Sequence, residues 1–309
     1  MRDKKLIVVV GPTAVGKTSV AIQLAQHFQA EIISADSRQI FKELTIGTAK
    51  PNEGELAAIK HHFINSHSIK EKYDAAQYGH DVLELIHQLF RKHDYLILCG
   101  GSGLYVKAVL EGFDDIPEVA EEVREELNRQ YEQGGISWLQ EKMKEIDPEL
   151  FETIDQQNPH RLMRALEVKI GTGRSISFFR TKAKLQHPFS IVKIGLELPR
   201  EILNKRIDDR MDQMIHDGLF EEAKQVYPFK DRQALQTVGY QEIFDFMEGQ
   251  YDREEAIRLL KRNSRRYAKR QMTWFKRDGE IVWVNPVNIE EIYKIVQSSG
   301  FKVSGSERV

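Results

Sequence analysis

The residues of this chain best suited to chemistry are Gly11, Pro12, Thr13, Ala14, Val15, Gly16, Lys17 and Thr18, which together spell a G-x-x-x-x-G-K-[ST] phosphate-binding loop. The two glycines let the backbone curl around a phosphate with its amides pointing inward. The helix that follows adds the positive end of its dipole, Lys17 reaches the outer phosphate, and the Thr18 hydroxyl is a ligand for Mg²⁺. An apolar run from Leu6 to Val10 precedes the loop, and a helical pattern of Val20, Ala21, Leu24 and Phe28 follows it. Strand, loop and helix are therefore in the order that such a site needs. A loop of this kind that serves nucleotide hydrolysis works with an acid at the end of a later strand, which holds the metal. The best later strand, Tyr95 to Cys99, runs into Gly100-Gly101-Ser102-Gly103 and offers no acid. The acid stands instead at Asp36, after the apolar run that begins at Glu31. A carboxylate placed there suits a general base acting on an acceptor. A helix N-cap or a substitute metal ligand is the other reading of Asp36.

These groups have to be carried by a framework, and the chain is long enough for one large domain or two at 309 residues. An apolar content of 41% supports a sizeable core, and 30% charged residues support a wet surface. The net charge of −2 gives no overall nucleic-acid signature, so any basic surface must be local. The single cysteine, Cys99, excludes a disulfide framework and a cysteine-rich zinc site, and it fits a reducing cytoplasm. The apolar N-terminal run ends in the phosphate loop after five residues and reads as a strand, not a signal peptide. No apolar stretch approaches the ~20 residues needed to cross a bilayer.

Up to about residue 112, strand patterns at 5–10, 31–35, 61–66 and 95–99 alternate with helical patterns at 17–28, 75–92 and 103–111. Such alternation predicts an α/β fold, a parallel sheet flanked by helices, as in P-loop NTPases. Composition changes near Gly112. Residues 114–155 are rich in acids, among them Asp114, Asp115, Glu118, Glu121 and Glu122, and helical in pattern. The following stretch turns basic, with Arg161, Arg164, Lys169, Arg174, Arg180, Lys182 and Lys184 against Glu167. Residues 113–190 are thus expected to form an inserted all-helical subdomain, with 1–112 and 191–309 as the P-loop core. Strands are expected again at 191–196 and 281–284, and disorder from Ser304 to Val309.

Two further helices carry charge that could be functional. The helix expected from Pro199 to Tyr227 places Arg206 and Arg210 on one face, where they could close over phosphates, unless Asp208, Asp209 and Asp212 pair with them. The helix from Arg253 to Arg277 holds Arg258, Lys261, Arg262, Arg265, Arg266, Lys269, Arg270, Lys276 and Arg277, with Tyr267, Trp274 and Phe275 among them. A phosphate-tracking surface with aromatics is one reading; a solvated helix whose aromatics face the core is the other. His61, His62 and His67 lack a matching carboxylate pattern and read as structural, and Trp138, Leu139 and Met143 read as helical core. On these features alone, an ATP-dependent small-molecule kinase with Asp36 as its base and an RNA-binding ATPase switch both remain open.

Several stretches, taken together and in order, resemble the tRNA dimethylallyltransferase (tRNA isopentenyltransferase) family. They are the phosphate loop, Asp36-Ser37-Arg38-Gln39-Ile40-Phe41, Ile46-Gly47-Thr48-Ala49-Lys50-Pro51 and Gly100-Gly101-Ser102-Gly103-Leu104-Tyr105. Asn158-Pro159-His160-Arg161-Leu162-Met163-Arg164-Ala165-Leu166-Glu167, Gln236-Thr237-Val238-Gly239-Tyr240-Gln241-Glu242 and Ala268-Lys269-Arg270-Gln271-Met272-Thr273-Trp274-Phe275 complete the set. Ser102 stands where the family often has Thr, and a C-terminal zinc finger of the eukaryotic members is absent, so the resemblance is to the bacterial form. The resemblance implies transfer of a dimethylallyl group from dimethylallyl diphosphate to the exocyclic amine of adenosine 37, beside the tRNA anticodon. It implies that the loop holds a diphosphate, although its motif is also that of ATP-binding proteins. Asp36 would be the base, Thr18 with Mg²⁺ would steady the diphosphate, and Arg210 with Lys17 would neutralise developing charge. The anticodon stem-loop would meet Asp36, Ser37, Arg38, Gln39, Ser102, His160, Arg161, Leu162, Met163, Arg164, Arg266 and Arg270. A cytoplasmic monomer is expected.

Overall fold

The computed structural model describes residues 4–180 and 185–299. Lys182, Lys184 and the expected tail from Ser304 to Val309 lie outside the described residues. The chain alternates β1 (Lys5–Val10), α1 (Lys17–Phe28), β2 (Ile32–Ser34), α2 (Glu53–Ala58), β3 (His61–His62), α3 (Ala75–Leu89), β4 (Tyr95–Gly100) and α4 (Gly103–Leu110). Four helices follow, α5 (Glu121–Ile146), α6 (Pro148–Phe151), α7 (Pro159–Thr172) and α8 (Ile176–Phe179). The sheet resumes with β5 (Ser190–Leu196), α9 (Arg200–His216), α10 (Leu219–Val226), α11 (Gln241–Met247), α12 (Arg253–Phe275), β6 (Val282–Val284) and α13 (Ile289–Ser298). Two compact units result, one of Met1–Leu110 with Gln186–Val309 and a smaller one of Glu111–Leu185.

In the larger unit all six strands are parallel, in the order β3-β2-β4-β1-β5-β6. β1 is central and entirely buried, and it is apolar from Leu6 to Val10 because helices cover a parallel strand on both faces; Lys5 at its start donates to the carbonyls of Val296 and Ser299. Its side chains alternate: Leu6, Val8 and Val10 enter one core with Tyr78, Val82 and Leu260, while Ile7 and Val9 enter the other with Val20, Leu24 and Ile292. The chain steps from β1 to β2 on one side and later from β4 across β1 to β5 on the other. Ligands of open parallel sheets bind at the carboxyl ends of strands beside such a reversal, and the phosphate loop leaves β1 at that point.

Two expectations change. The strand expected at 61–66 is only His61–His62, because Phe63 (φ 60°) and Asn65 (φ 54°) take left-handed backbone that ends pairing. The long helix expected from Pro199 breaks at Gly218 (φ 104°) into α9 and α10.

The smaller unit is helical. α5 is kinked where Gly135 adopts φ 61°, and the unit's own core joins Leu127, Leu139, Met143, Leu162, Met163 and Leu166. The acidic and basic stretches partly neutralise each other here. Arg161 lies 3.6 Å from Asp155, and Glu167 pairs with both Arg124 (2.6 Å) and Arg164 (3.2 Å).

Candidate active site

The phosphate loop bends where the sequence requires it. Gly11 (φ 149°) and Gly16 (φ 109°) take backbone that side chains avoid, and a Cβ on Gly11 would strike the Leu196 carbonyl of neighbouring β5. Ala14, at φ 63°, is a strained non-glycine residue at the loop tip. Lys17 Nζ folds over the loop and donates to the carbonyls of Gly11 (3.1 Å) and Pro12 (2.8 Å). Burial pushes the Lys17 ammonium down to about 8, Arg210 adds to the fall, and Cys99 and Asp36 oppose it.

Asp36 follows β2, two strands from β1, and β4 between them ends in Cys99 and Gly100 without an acid. β2 approaches so closely that a Cβ on Gly100 would collide with Ala35 backbone. Asp36 Oδ1 accepts the Arg38 amide at 2.9 Å and the Gln39 amide at 3.3 Å. The helix N-cap reading does not hold, because residues 37–40 form a turn and no helix; Oδ1 braces that turn, and Oδ2 is left for the cavity that Asp36 lines. That cavity of about 100 Å³ brings Asp36, Arg38 and Arg210 together with Thr13 and Ala14 of the loop. Ile207, Met211, Met214, Leu219 and Val238 supply apolar walls.

Arg210 reaches this cavity because its neighbours are paired elsewhere. Asp208 binds Arg265, Asp209 binds Lys205, and Asp212 binds Lys261. Among the described residues Arg210 has no ion pair; burial lowers its pKa while Asp36 opposes the shift. Arg206, one turn earlier, donates to the Val15 carbonyl at 3.4 Å.

The other expected site residues divide by what holds them. Ser102 Oγ accepts the Ser37 amide (2.9 Å) and donates to the Ser37 hydroxyl (3.1 Å), tying the loop after β4 to the loop after β2. Arg38 lines the cavity with a buried Nε that has no hydrogen-bond partner among the described residues. The Gln39 amide group is consumed by the carbonyls of Thr48 and Ala49, both at 3.2 Å, so it braces a loop. Leu162 and Met163 are core residues of the helical unit, which removes their side chains from any surface. His160 and Arg161 are exposed and Arg164 half-exposed on that unit. On α12, Arg266 and Arg270 are exposed, while Arg258, Lys261, Arg265 and Lys276 are paired with acids. Phe275 is buried and Tyr267 lines the cavity, so the two readings of α12 apply to different faces of one helix. The histidines are structural: His61 bonds the Ile59 carbonyl and His62 bonds Glu31.

Two residues central to the site went unassigned in the sequence. Glu222 is buried and accepts the amides of Thr45 (2.8 Å), Ile46 (2.8 Å) and Gly47 (2.9 Å) and the Tyr240 hydroxyl (2.7 Å). It thereby fixes the loop that brings Gly47 and Thr48 to the cavity. Its signal was an acid on the apolar stripe Leu219, Ala223, Val226. The second is Gln271, which bonds the phosphate loop from α12.

Among the described residues no group of three or more His, Cys, Asp or Glu side chains could hold a metal. Mg²⁺ needs no such cage, since it keeps waters and binds through one or two protein groups plus phosphate oxygens. Thr18, half-buried in the first turn of α1 and beside the loop amides, fits that donor set.

A family model described as IPP transferase matches residues 39–278. A tRNA dimethylallyltransferase of Cytophaga hutchinsonii is 52% identical over 296 residues, covering 96% of this chain and 97% of that protein. The crystal structure of a full-length tRNA isopentenylpyrophosphate transferase from Bacillus halodurans matches with a TM-score of 0.71 at 38% identity, covering 95% of this chain and 96% of the other. A eukaryotic dimethylallyltransferase, solved acting on tRNA, matches with a TM-score of 0.74 at 26% identity, over 93% of this chain and 75% of that one.

Proposed function

This chain belongs to the IPP transferase family, and from that premise we propose that it transfers a dimethylallyl group from dimethylallyl diphosphate to the exocyclic amine of adenosine 37 in tRNA. The observation that carries the reading is one cavity in which a phosphate loop, a carboxylate, an arginine and an apolar wall meet. Each feature has a task. The loop amides and Lys17 hold the diphosphate, and the apolar wall of Ile207, Met211, Met214 and Leu219 accepts the five-carbon chain. Asp36 Oδ2 accepts a hydrogen bond from the incoming amine. As the new N–C bond forms, the C–O bond to diphosphate breaks and its electron pair leaves with the diphosphate. The amine, made acidic by that bond formation, gives its proton to Asp36. Arg210 and Lys17 offset the charge that gathers on the leaving group. Mg²⁺ held by Thr18 would supply further neutralisation of the diphosphate.

The kinase alternative is not favoured. The strand beside β1 ends without a metal-binding acid, and the relatives are transferases of another class. The target base has to leave the anticodon-loop stack to reach Asp36. Ser37, Arg38 and Ser102 then meet the nucleotide, Arg266 and Arg270 meet backbone phosphates from α12, and His160, Arg161 and Arg164 do so from the helical unit. No helix among the described residues is long and apolar enough to cross a membrane; a cytoplasmic monomer is the form proposed. The test is incubation with labelled dimethylallyl diphosphate and unmodified tRNA. Label in RNA, at the adenosine beside the anticodon, is expected. Phosphorylation of a small acceptor from ATP, with no label in RNA, would reverse the assignment.

A further inference from the structure

α12 turns two faces to different tasks. Outward it carries Arg266, Lys269 and Arg270; inward it buries Ser264, Ala268, Gln271 and Phe275, spaced three and four apart. Among the inward residues Gln271 is the polar one that reaches the phosphate loop. It is 7% exposed, its Oε1 accepts the Thr13 amide at 2.8 Å, and its Nε2 donates to the Gly101 carbonyl at 2.9 Å. The glycines after β4 make room for this helix. A Cβ on Gly101 would collide with Gln271 Nε2, and one on Gly103 would collide with the Trp274 indole. Gly100-Gly101-Ser102-Gly103 is therefore a seat for α12 and β2 rather than a second phosphate cradle.

We infer that Gln271 is a positioning residue that sets the tip of the phosphate loop for a diphosphate. The inference rests on the diphosphate reading of the site. The Thr13 amide is one of the donors the loop could turn on a ligand, and it adjoins Ala14, whose φ of 63° is strained. With Thr13 held by a neutral side-chain oxygen, the tip is fixed before any ligand arrives. The inner amides and Lys17 then bind phosphate without first ordering the loop, and pre-ordering of that kind raises affinity. The second bond, to Gly101, fixes the glutamine itself, so Oε1 faces Thr13 and the amide cannot turn over.

Two variants and four readouts test this. Gln271→Met keeps the volume and removes both hydrogen bonds. Gln271→Glu keeps the acceptor, and when protonated it also keeps the donor to Gly101. Backbone amide exchange at Thr13, which needs no ligand, is expected to be slow in wild type and fast in Gln271→Met. The Kd for inorganic pyrophosphate and the KM for dimethylallyl diphosphate are expected to rise about fivefold to tenfold in Gln271→Met, the equivalent of one net buried hydrogen bond. The KM for tRNA stays within about twofold, whereas a general loosening of α12 would move both. For Gln271→Glu, the pyrophosphate Kd relative to wild type should be near one at low pH and grow as the carboxyl ionises. Unchanged Thr13 exchange in Gln271→Met, or a Glu-to-wild-type ratio flat with pH, overturns the role. If wild type ignores pyrophosphate while Thr13 exchange still responds to Gln271→Met, the diphosphate reading falls and the positioning role stands.

Discussion

Replacing Asp36 by Asn separates the chemistry of this carboxylate from its structural duty. Oδ1 accepts two amides, those of Arg38 and Gln39. Losing a turn-bracing acceptor costs about one net hydrogen bond, so Asp36→Ala should lower stability by about 1 kcal/mol as well as lose activity. Asn preserves the bracing oxygen and should hold stability to within about 0.5 kcal/mol. Toward the cavity it presents an amide donor in place of a basic oxygen. A positioned general base contributes ~10²–10⁴-fold, or about 3–5.5 kcal/mol of barrier at 1.36 kcal/mol per decade. Binding of the diphosphate should not suffer. Asp36 interacts favourably with Lys17 and Arg210, and removing its negative charge leaves more positive potential for the anion. The assay is steady-state transfer of labelled dimethylallyl to unmodified tRNA, beside thermal unfolding and pyrophosphate affinity. A loss of 10²–10⁴ in transfer, with stability and pyrophosphate Kd kept, is expected for Asp36→Asn. Transfer within tenfold of wild type would remove Asp36 from the role of base, and an equal fall in pyrophosphate affinity would make the loss one of binding.

Lys17→Ala and Thr18→Ala should each raise the KM for dimethylallyl diphosphate, and pyrophosphate should compete with it; tight ATP binding without competition by pyrophosphate would contradict this. Because burial lowers the Lys17 pKa to about 8, the empty site carries the ammonium below that pH and must take up a proton to bind an anion above it. Dimethylallyl diphosphate affinity should therefore fall from about pH 8 upward in wild type and not in Lys17→Arg; parallel profiles would refute the cause. For tRNA, Arg266→Ala and the double variant Arg161→Ala with Arg164→Ala should each flatten the slope of log affinity against log salt, by ~0.7 for each single-strand phosphate left without its arginine. Unchanged slopes would return these arginines to surface ion pairing of the kind seen with Asp155 and Glu167. Glu222→Leu leaves three amides and the Tyr240 hydroxyl without their acceptor, and should cost about 3 kcal/mol or more in denaturant unfolding; a loss below about 1 kcal/mol would show that water replaces the carboxylate.

Features carried by short stretches of chain were legible from the residues alone. The phosphate loop announced itself because its glycines, lysine and threonine must be adjacent to curl around one anion, and β1 because a central parallel strand has no polar face to show. Asp36 stood out as an acid ending an apolar run, and the helical character of the insert followed from its spacing. The split of α12 into a basic outer face and an aromatic inner one was present as two competing readings, since periodicity places residues on a face without saying what covers it. The arginine pair on α9 was ambiguous for the same reason. Three aspartates of the same helix could have taken it, and only partners from α12, far along the chain, take two of them away.

The residue types and their order set a phosphate-loop motif in the same chain as a carboxylate that ends an apolar run, and the resemblance built on those motifs named the reaction. Tertiary structure alone decided which hydrogen bonds are already spent. Gln39 is committed to Thr48 and Ala49, Leu162 and Met163 to a core, Glu222 to a loop 175–177 positions away, and Gln271 to Thr13 at a separation of 258. The physical reason is that a donor or acceptor carries no mark of its partner. A side chain's type and neighbours in sequence fix what it can bond, and only the packing of distant elements fixes what lies within about 3 Å of it.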